Sequence, residues 1–390
     1  MKVLLPLVTS TSGLSGVQRH ALNLAVCLSE DEDIDVHLVI APWQQNLVQS
    51  CGLHNVRIRV EIADVPRNTW GRNIWFYSGL PRLARKTNVD LVHAIYPVPV
   101  LASAFKVPLV VTLHDLYPFQ VPENFGSAKA VLHRAIVRHC LTHADAIACV
   151  SHATADSVAN YFPTSICAKI SVIHNCITRQ PVDSASPPRF IDCGSFLLSV
   201  AQHRHNKNLP LLLRTLSLLL DNWDICDVPS LVIVGMRGPQ TKEIVRLIRT
   251  LGLSQRVMLL EGISDAELMW CYRNCSAVVV PSITEGFCLP AAEALLAGSP
   301  LICADIPVLR EIVGGHCTFV PLGPGAEARF AQAIRASLEA PRPRPVDLPQ
   351  YSQQLIASQC MALYRRLTSN HVPNSRHNSE AISPPGPAQV

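Results

Sequence analysis

Two doubly wound α/β domains facing each other across a cleft are what this sequence predicts, and three observations predict them. The 390 residues exceed what one hydrophobic core usually holds, so two domains are expected. Short runs that are apolar throughout alternate with helix-period segments, the pattern of parallel sheets covered on both faces. The alternation breaks once, at Pro181–Pro188, a stretch of Pro, Ser and Asp suited to a linker, and then restarts.

The first Rossmann-like domain is expected over 1–185. Val3–Val8, Val36–Ile40, Val56–Ile62, Leu91–Ala94, Leu109–Leu113 and Ala146–Val150 read as its strands, and Val17–Ser29 as an amphipathic helix. The second is expected over 190–345. Its strands are Phe196–Val200, Leu231–Val234, Val257–Leu259, Ala277–Val280 and Leu301–Cys303, with helices at Leu209–Leu220, Gln240–Leu251 and Leu289–Ala297 between them. A terminal helix follows at 350–367. Residues 368–390 are rich in Ser, Asn and Pro without periodicity and are expected to be disordered. Two such sheets in series bring the carboxyl ends of their strands to a common cleft, where this architecture binds ligands.

Composition narrows the function. A net charge of +4 is too weak for a nucleic-acid partner. Met1–Val8 is too short an apolar run for a signal peptide, and no stretch reaches the ~20 apolar residues of a membrane span. A cytoplasmic protein is expected, free or attached at the inner face of a membrane. The fourteen cysteines form no C-x-x-C pair and are expected to be small buried residues. Cys271 and Cys275 lie four apart without a second ligand pair, so no metal site is expected.

Four segments carry candidate chemistry. Gly13-Leu14-Ser15-Gly16 follows the first strand and precedes a helix; it serves either as a plain tight turn or as a close backbone approach to an anion. Val110–Leu116 ends a strand in His114 and Asp115, which belong on the cleft rim. Ser199–Asn208 carries Arg204 and Lys207 just before a helix, either as a solvated basic loop or as cations for a diphosphate. Pro281–Ala294 is the most specific. Glu285 stands on the loop after a strand, the Gly286, Phe287 and Cys288 amides lead into a helix, and Glu293 lies two turns further on. Two carboxylates flanking an anion-binding turn can accept hydrogen bonds from two sets of sugar hydroxyls.

Together these segments resemble the retaining glycosyltransferases of family 4, with the two-domain GT-B architecture. Glu285 and Glu293 match the family's E-x7-E motif, Lys207-Asn208 the end of its donor-phosphate loop, His114 its rim histidine, and Gly13 and Gly16 its N-terminal glycine loop. Val172–Asn175 is similar to a strand ending in I-x-N-G, with Cys176 where the glycine would follow. Arg256–Gly262 with Asp265–Leu268 is similar to the base-binding region. The resemblance implies same-face transfer of a hexose from a nucleotide-sugar, GDP- or UDP-linked, which is a co-substrate, so no cofactor is implied. Mannose is the first expectation. The implied acceptor is a glycan or a lipid-linked glycan of surface polysaccharide synthesis. In that scheme Lys207 meets the leaving diphosphate, Glu285 and His114 hold donor-sugar hydroxyls, and Glu293 holds the ribose diol. The family often places an Arg near Gln202; here Arg204 is expected to supply that charge.

Metal independence is expected because no D-x-D motif of the metal-dependent transferase class appears; Asp31-Glu32-Asp33, which fits the letters, lies at a helix–strand turn and reads as a solvated loop. The competing readings are a nucleotide-sugar epimerase and a catalytically inactive nucleotide-sugar-binding subunit. A nicotinamide dehydrogenase lacks its fingerprint. Trp70–Tyr77 with Arg82, Arg85 and Lys86, and Lys129–His143 with Arg134 and Arg138, mix cations with apolar groups and point to weak attachment to an anionic membrane surface.

Overall fold

The computed structural model describes residues 1–10, 15–50, 57–177, 186–188, 194–224 and 228–370. The N-terminal sheet holds β1 (Lys2–Pro6), β2 (Asp35–Ile40), β3 (Ile58–Ile62), β4 (Leu91–Ala94), β5 (Leu109–Leu113), β6 (Ala146–Cys149) and β7 (Ile170–Val172). All pairs are parallel, in the order β3-β2-β1-β4-β5-β6-β7. Its helices are α1 (Gly16–Ser29), α2 (Gln45–Ser50), α3 (Thr69–Ile74), α4 (Leu80–Thr87), α5 (Tyr117–Gln120), α6 (Ser127–His143), α7 (His152–Val158) and α8 (Thr164–Cys167), with a π-helical turn at Trp75–Gly79 joining α3 to α4.

The C-terminal sheet holds β8 (Phe196–Val200), β9 (Ser230–Val234), β10 (Val257–Leu260), β11 (Ala277–Val280), β12 (Leu301–Ala304) and β13 (Thr318–Val320), also all parallel, in the order β10-β9-β8-β11-β12-β13. Around it stand α9 (Leu209–Asn222), α10 (Thr241–Thr250), α11 (Asp265–Asn274), α12 (Leu289–Leu296), α13 (Pro307–Val313) and α14 (Ala326–Glu339), before α15 (Gln353–Asn370). The fold class is the expected one. In each sheet the order reverses beside the first strand, between β1 and β4 and between β8 and β11. The carboxyl ends at these switch points make the crevice where such sheets hold ligands.

Local chemistry fixes the helix starts that matter for the site. Ser15 caps α1: its backbone N–H donates to Gln18 Oε1 at 2.8 Å, and its side chain accepts from the Gln18 N–H at 3.4 Å. Ser264 and Glu267 form the same reciprocal box at the start of α11. Leu197, Leu198, Leu231–Ile233 and Ala277–Val279 are fully buried, which is why their runs carry no polar alternation.

The terminal helix ends later than the sequence expectation, and where it packs was not legible in the sequence. It runs to Asn370, so the tail cannot begin at Thr368, whose hydroxyl donates to the Tyr364 carbonyl at 3.0 Å inside the helix. Residues 371–390 lie outside the described residues, and with them most of the expected disordered segment. The helix also returns to the N-terminal domain: Ile356, Cys360, Leu363 and Tyr364, spaced for one helical face, are buried in the same core as Leu24, Leu28 and Leu91. Residues 1–177 and α15 therefore form one packing unit. The linker expected at Pro181–Pro188 lies outside the described residues except for its last three.

The two cation-bearing stretches fall on helices of one face. Phe76, Leu80 and Ala84 share a core with Val137, Cys140 and Leu141. Trp70 and Ile74 are 72% and 63% exposed, and Val131 on α6 is 65% exposed. Arg134 is not free: its Nε donates to the Pro118 carbonyl at 2.6 Å, and the Arg134 and Arg138 guanidinium groups stand 5.8 and 5.1 Å from the Phe119 ring. Among the described residues no helix is long and apolar enough to cross a membrane.

Candidate active site

Lys207 and Glu285 meet at the centre of the cleft. Lys207 closes the loop after β8, and Glu285 lies on the loop after β11. Lys207 Nζ donates to both Glu285 carboxylate oxygens, at 2.6 and 2.8 Å. Two hydroxyls complete the carboxylate: Ser282 Oγ donates at 2.7 Å and Tyr117, from the N-terminal domain, at 3.2 Å. Glu285 is buried and Lys207 nearly so. Burial by itself lowers the Lys207 pKa, but the Glu285 carboxylate outweighs it and holds the ammonium above its ordinary value.

The two loops are zipped together. Asn206, fully buried, donates to the Thr284 carbonyl at 3.3 Å and its own carbonyl accepts from Ile283 at 2.8 Å. Asn124 reaches across from the N-terminal domain, donating to Asn206 Oδ1 at 3.0 Å and accepting from the His205 amide at 2.8 Å. Both helices that begin here start from a left-handed residue, Asn208 at φ 52° and Cys288 at φ 69°. A cysteine in that region costs on the order of 1 kcal/mol, a strain that clusters at functional loops. The turn opens α12, whose N-terminal end carries the positive end of the helix dipole. Phe287 and Cys288 are themselves buried, so their contribution is backbone rather than side chain.

The domains touch at this point. A Cβ on Gly286 would lie 1.8 Å from the His114 carbonyl oxygen, so only glycine permits the approach. Ser151 Oγ, from the N-terminal domain, donates to the Gly286 carbonyl at 2.6 Å. The His114 ring is oriented by Nε2, which donates to the Ile95 carbonyl at 2.8 Å; since a carbonyl only accepts, Nδ1 carries the lone pair. Burial pushes the His114 pKa down to about 4, so the ring is a neutral acceptor at pH 7. Behind it, His20 stacks edge-on at 4.7 Å, and His93 bridges Thr112 at 2.9 Å and Tyr364 at 2.6 Å. This anchors the rim to α15.

Asp115, next along, is pushed up to about 6 by burial, against the pull of the Tyr117 amide and of the Arg204 and Lys207 charges. Arg204 is half-buried on the same side, and its charge acts on both Asp115 and Lys207.

Glu293 stands apart, in a cavity of about 400 Å³ lined also by Asn23, Tyr272, Leu289 and Leu296. Tyr272 donates to its Oε2 at 2.8 Å. Burial raises the Glu293 pKa, opposed by Arg19 and the tyrosine. Arg19 of α1 and Asp265 of α11 form a two-pronged ion pair across the domains at the cavity's edge, one contact at 2.7 Å. A second cavity, about 290 Å³, is lined by Glu285 with Asp115, Gln120, Thr154, Asp156, Asn160 and Thr284. Glu285 thus lines one polar cavity, and Glu293 the larger one.

Of the residues singled out from sequence, Glu285, Lys207, Arg204, His114, Gly286, Phe287 and Cys288 come together. Glu293 lines the separate cavity of about 400 Å³. Gly16 is the first residue of α1, with open space where a Cβ would project; Gly13 lies outside the described residues. Tyr117, Asn124, Asn206, Ser282, Arg19 and Tyr272 were not found from sequence. Asn206 stood next to Lys207 and Ser282 three residues before Glu285, inside the candidate segments; the others carried no local signal.

Comparison with known proteins agrees with the two-domain fold. The family model described as Glycosyltransferase Family 4 matches residues 14–180, and that described as Glycosyl transferases group 1 matches residues 189–355. The chain is 24% identical over 327 residues to the O-antigen chain mannosyltransferase RfbU of Salmonella typhimurium, covering 82% of this chain and 86% of the relative. It is 28% identical over 305 residues to the serotype-specific mannosyltransferase WbdA of Escherichia coli, covering 74% of this chain and 35% of that longer protein. Among solved structures, Anabaena Alr3699/HepE in complex with UDP and glucose superposes with a TM-score of 0.62 at 19% identity, covering 95% of this chain and 97% of that one. WaaG, a glycosyltransferase involved in lipopolysaccharide biosynthesis, gives 0.63 at 15% identity, covering 94% and 97%.

Proposed function

The chain belongs to glycosyltransferase family 4, the glycosyl transferases of group 1, and from that premise we propose that it transfers mannose from a nucleotide-sugar to a glycan or lipid-linked glycan of a surface polysaccharide, with retention of anomeric configuration. The observation that carries the mechanism is the Lys207–Glu285 pair beside the start of α12. A donor diphosphate competes for Lys207, and its arrival frees the Glu285 oxygens for sugar hydroxyls. The neutral His114 accepts a further hydroxyl at Nδ1. As the bond from the sugar C1 to the phosphate oxygen breaks, the acceptor oxygen bonds C1 from the same face and its proton passes to the departing phosphate. Negative charge grows on the diphosphate, where Lys207, Arg204 and the α12 amides are already in place. The larger cavity takes the nucleoside, with Glu293 toward the ribose diol. The polar cavity on the Glu285 side suits a hydroxyl-rich acceptor.

This machinery supplies positive charge from side chains and backbone, so the transfer is proposed to be metal-independent. Mannose rests on the names of RfbU and WbdA; whether the base is guanine or uracil is decided by experiment. Peripheral attachment at the inner membrane face is proposed from the exposed Trp70, Ile74 and Val131 beside Arg82, Arg85 and Lys86 on helices of one sheet face. Thermal shifts with GDP-mannose, UDP-glucose and UDP-N-acetylglucosamine test the donor: GDP-mannose is expected to raise Tm most. A shift with a UDP-sugar alone would replace mannose in this scheme.

A further inference from the structure

A cluster of metal-ligating side chains lies outside the transfer machinery, at the other seam between the domains. His152 opens α7, His174 follows β7, and Glu311 lies on α13 of the C-terminal domain. One ligand atom from each lies within 4.8 Å of the other two. No such group is legible along the sequence, because the three positions come from separate segments.

The carboxylate is held in place by atoms that need not move. The His152 and Ala153 amides donate to Glu311 Oε1 and Oε2 at 2.7 and 2.9 Å. The His174 ring is set by Tyr351 and Phe287, at 5.3 and 6.1 Å between centroids, and its Nε2 stands 2.9 Å from Glu311 Oε1. His152, exposed, places its ring 5.8 Å from that of His174. Two imidazoles and a carboxylate with solvent access are the donor set of an open, four-coordinate zinc site, in which metal–ligand bonds of about 2.0–2.2 Å separate neighbouring ligand atoms by little more than the His174–Glu311 spacing.

We infer that His152, His174 and Glu311 form a binding site for a zinc-class divalent cation that ties the two domains together. The cation takes the place of the proton between His174 Nε2 and Glu311 Oε1, so that His174 binds as neutral imidazole with its N–H on Nδ1, and turns the His152 ring inward as third ligand; water fills the fourth position. The fixed amide contacts to Glu311 act as outer support for the ligand. Because two ligands come from the N-terminal domain and one from the C-terminal domain, the occupied site adds a link to the closed arrangement in which Gly286 meets His114, an arrangement that the Ser151–Gly286 hydrogen bond already makes without the cation.

Cobalt(II) added to the metal-free full-length protein is the test, with visible absorption reporting low-coordinate binding and zinc displacing it. One equivalent is expected in the wild type and in Lys207→Ala, and none in His152→Ala, His174→Ala or Glu311→Gln. Zinc should also raise the Tm of the wild type and not that of His152→Ala, whose exposed position leaves the fold intact. Wild-type protein that takes up no cobalt, or a His152→Ala variant that binds as the wild type does, overturns the inference. Loss of binding in Lys207→Ala also overturns it, by placing the metal at the diphosphate site.

Discussion

The backbone of Gly286 lies so close to His114 that a single methyl group on it would stand 1.8 Å from the histidine's carbonyl oxygen. The residue sits between the two ends of the chemistry, one position after Glu285 and facing the rim of the other domain. Gly286→Ala should leave each domain folded but keep the cleft from closing. Turnover is expected to fall ~100-fold or more, on the scale of a misplaced catalytic constellation, with Tm changed by only a few degrees. Wild-type turnover in this variant would show that the contact is not part of the working state.

The Lys207–Glu285 pair separates stability from activity. Removing one partner of a buried pair costs about 3–5 kcal/mol, because the other charge is left uncompensated. Glu285→Gln and Lys207→Met should each lower Tm, and the double variant should recover most of the loss while remaining inactive. Additive destabilisation in the double variant, measured by urea unfolding, would mean that the pair is not coupled as its geometry indicates.

Much of this was legible in the sequence, and the gaps have physical causes. Strands such as Leu109–Leu113 and Ala277–Val280 are buried on both faces, so an uninterrupted apolar run marks them. The edge strands Ile170–Val172 and Thr318–Val320 have three residues each and are half-exposed, too short and too mixed to show a period. Lys207 and Glu285 were each recognisable from a local pattern. Their pairing was not, because 78 positions separate them. Tyr117, Asn124 and Arg19 matter through partners in the opposite domain, which depends on how the two sheets face each other. The return of α15 onto the first domain was hidden for the same reason.

Asp115 gives the site a pH signature. Its carboxyl titrates at about 6 in the folded chain because burial favours the protonated form. The stability it contributes is present below the unfolded pKa near 4 and is lost as pH rises through about 6. Asp115→Asn keeps an oxygen for the Tyr117 amide and removes that loss. It should raise Tm by several degrees at pH 8 and hardly at all at pH 4. An equal effect at both pH values would assign the change to something other than ionisation.

Attachment to a membrane surface should depend on Trp70 and Ile74 rather than on Arg134, which is tied to the Pro118 carbonyl. Trp70→Ser with Ile74→Ser is expected to cut sedimentation with anionic vesicles at low salt several-fold, with turnover on a soluble acceptor unchanged. Arg82→Glu with Lys86→Glu should reduce it further and make the remainder less salt-sensitive. Wild-type protein that stays in the supernatant at low salt would remove the membrane from the account.

The most direct test of the central claim is the rate of nucleoside diphosphate release from the donor sugar in the presence of acceptor, with EDTA throughout. If Lys207 and the start of α12 carry the leaving-group charge as proposed, the wild type should release it at the same rate with and without the chelator. Glu285→Gln and Lys207→Ala should each be slower by ~100-fold or more. Turnover that stops in EDTA and returns with Mg²⁺ or Mn²⁺, or near-normal rates in both variants, would contradict it.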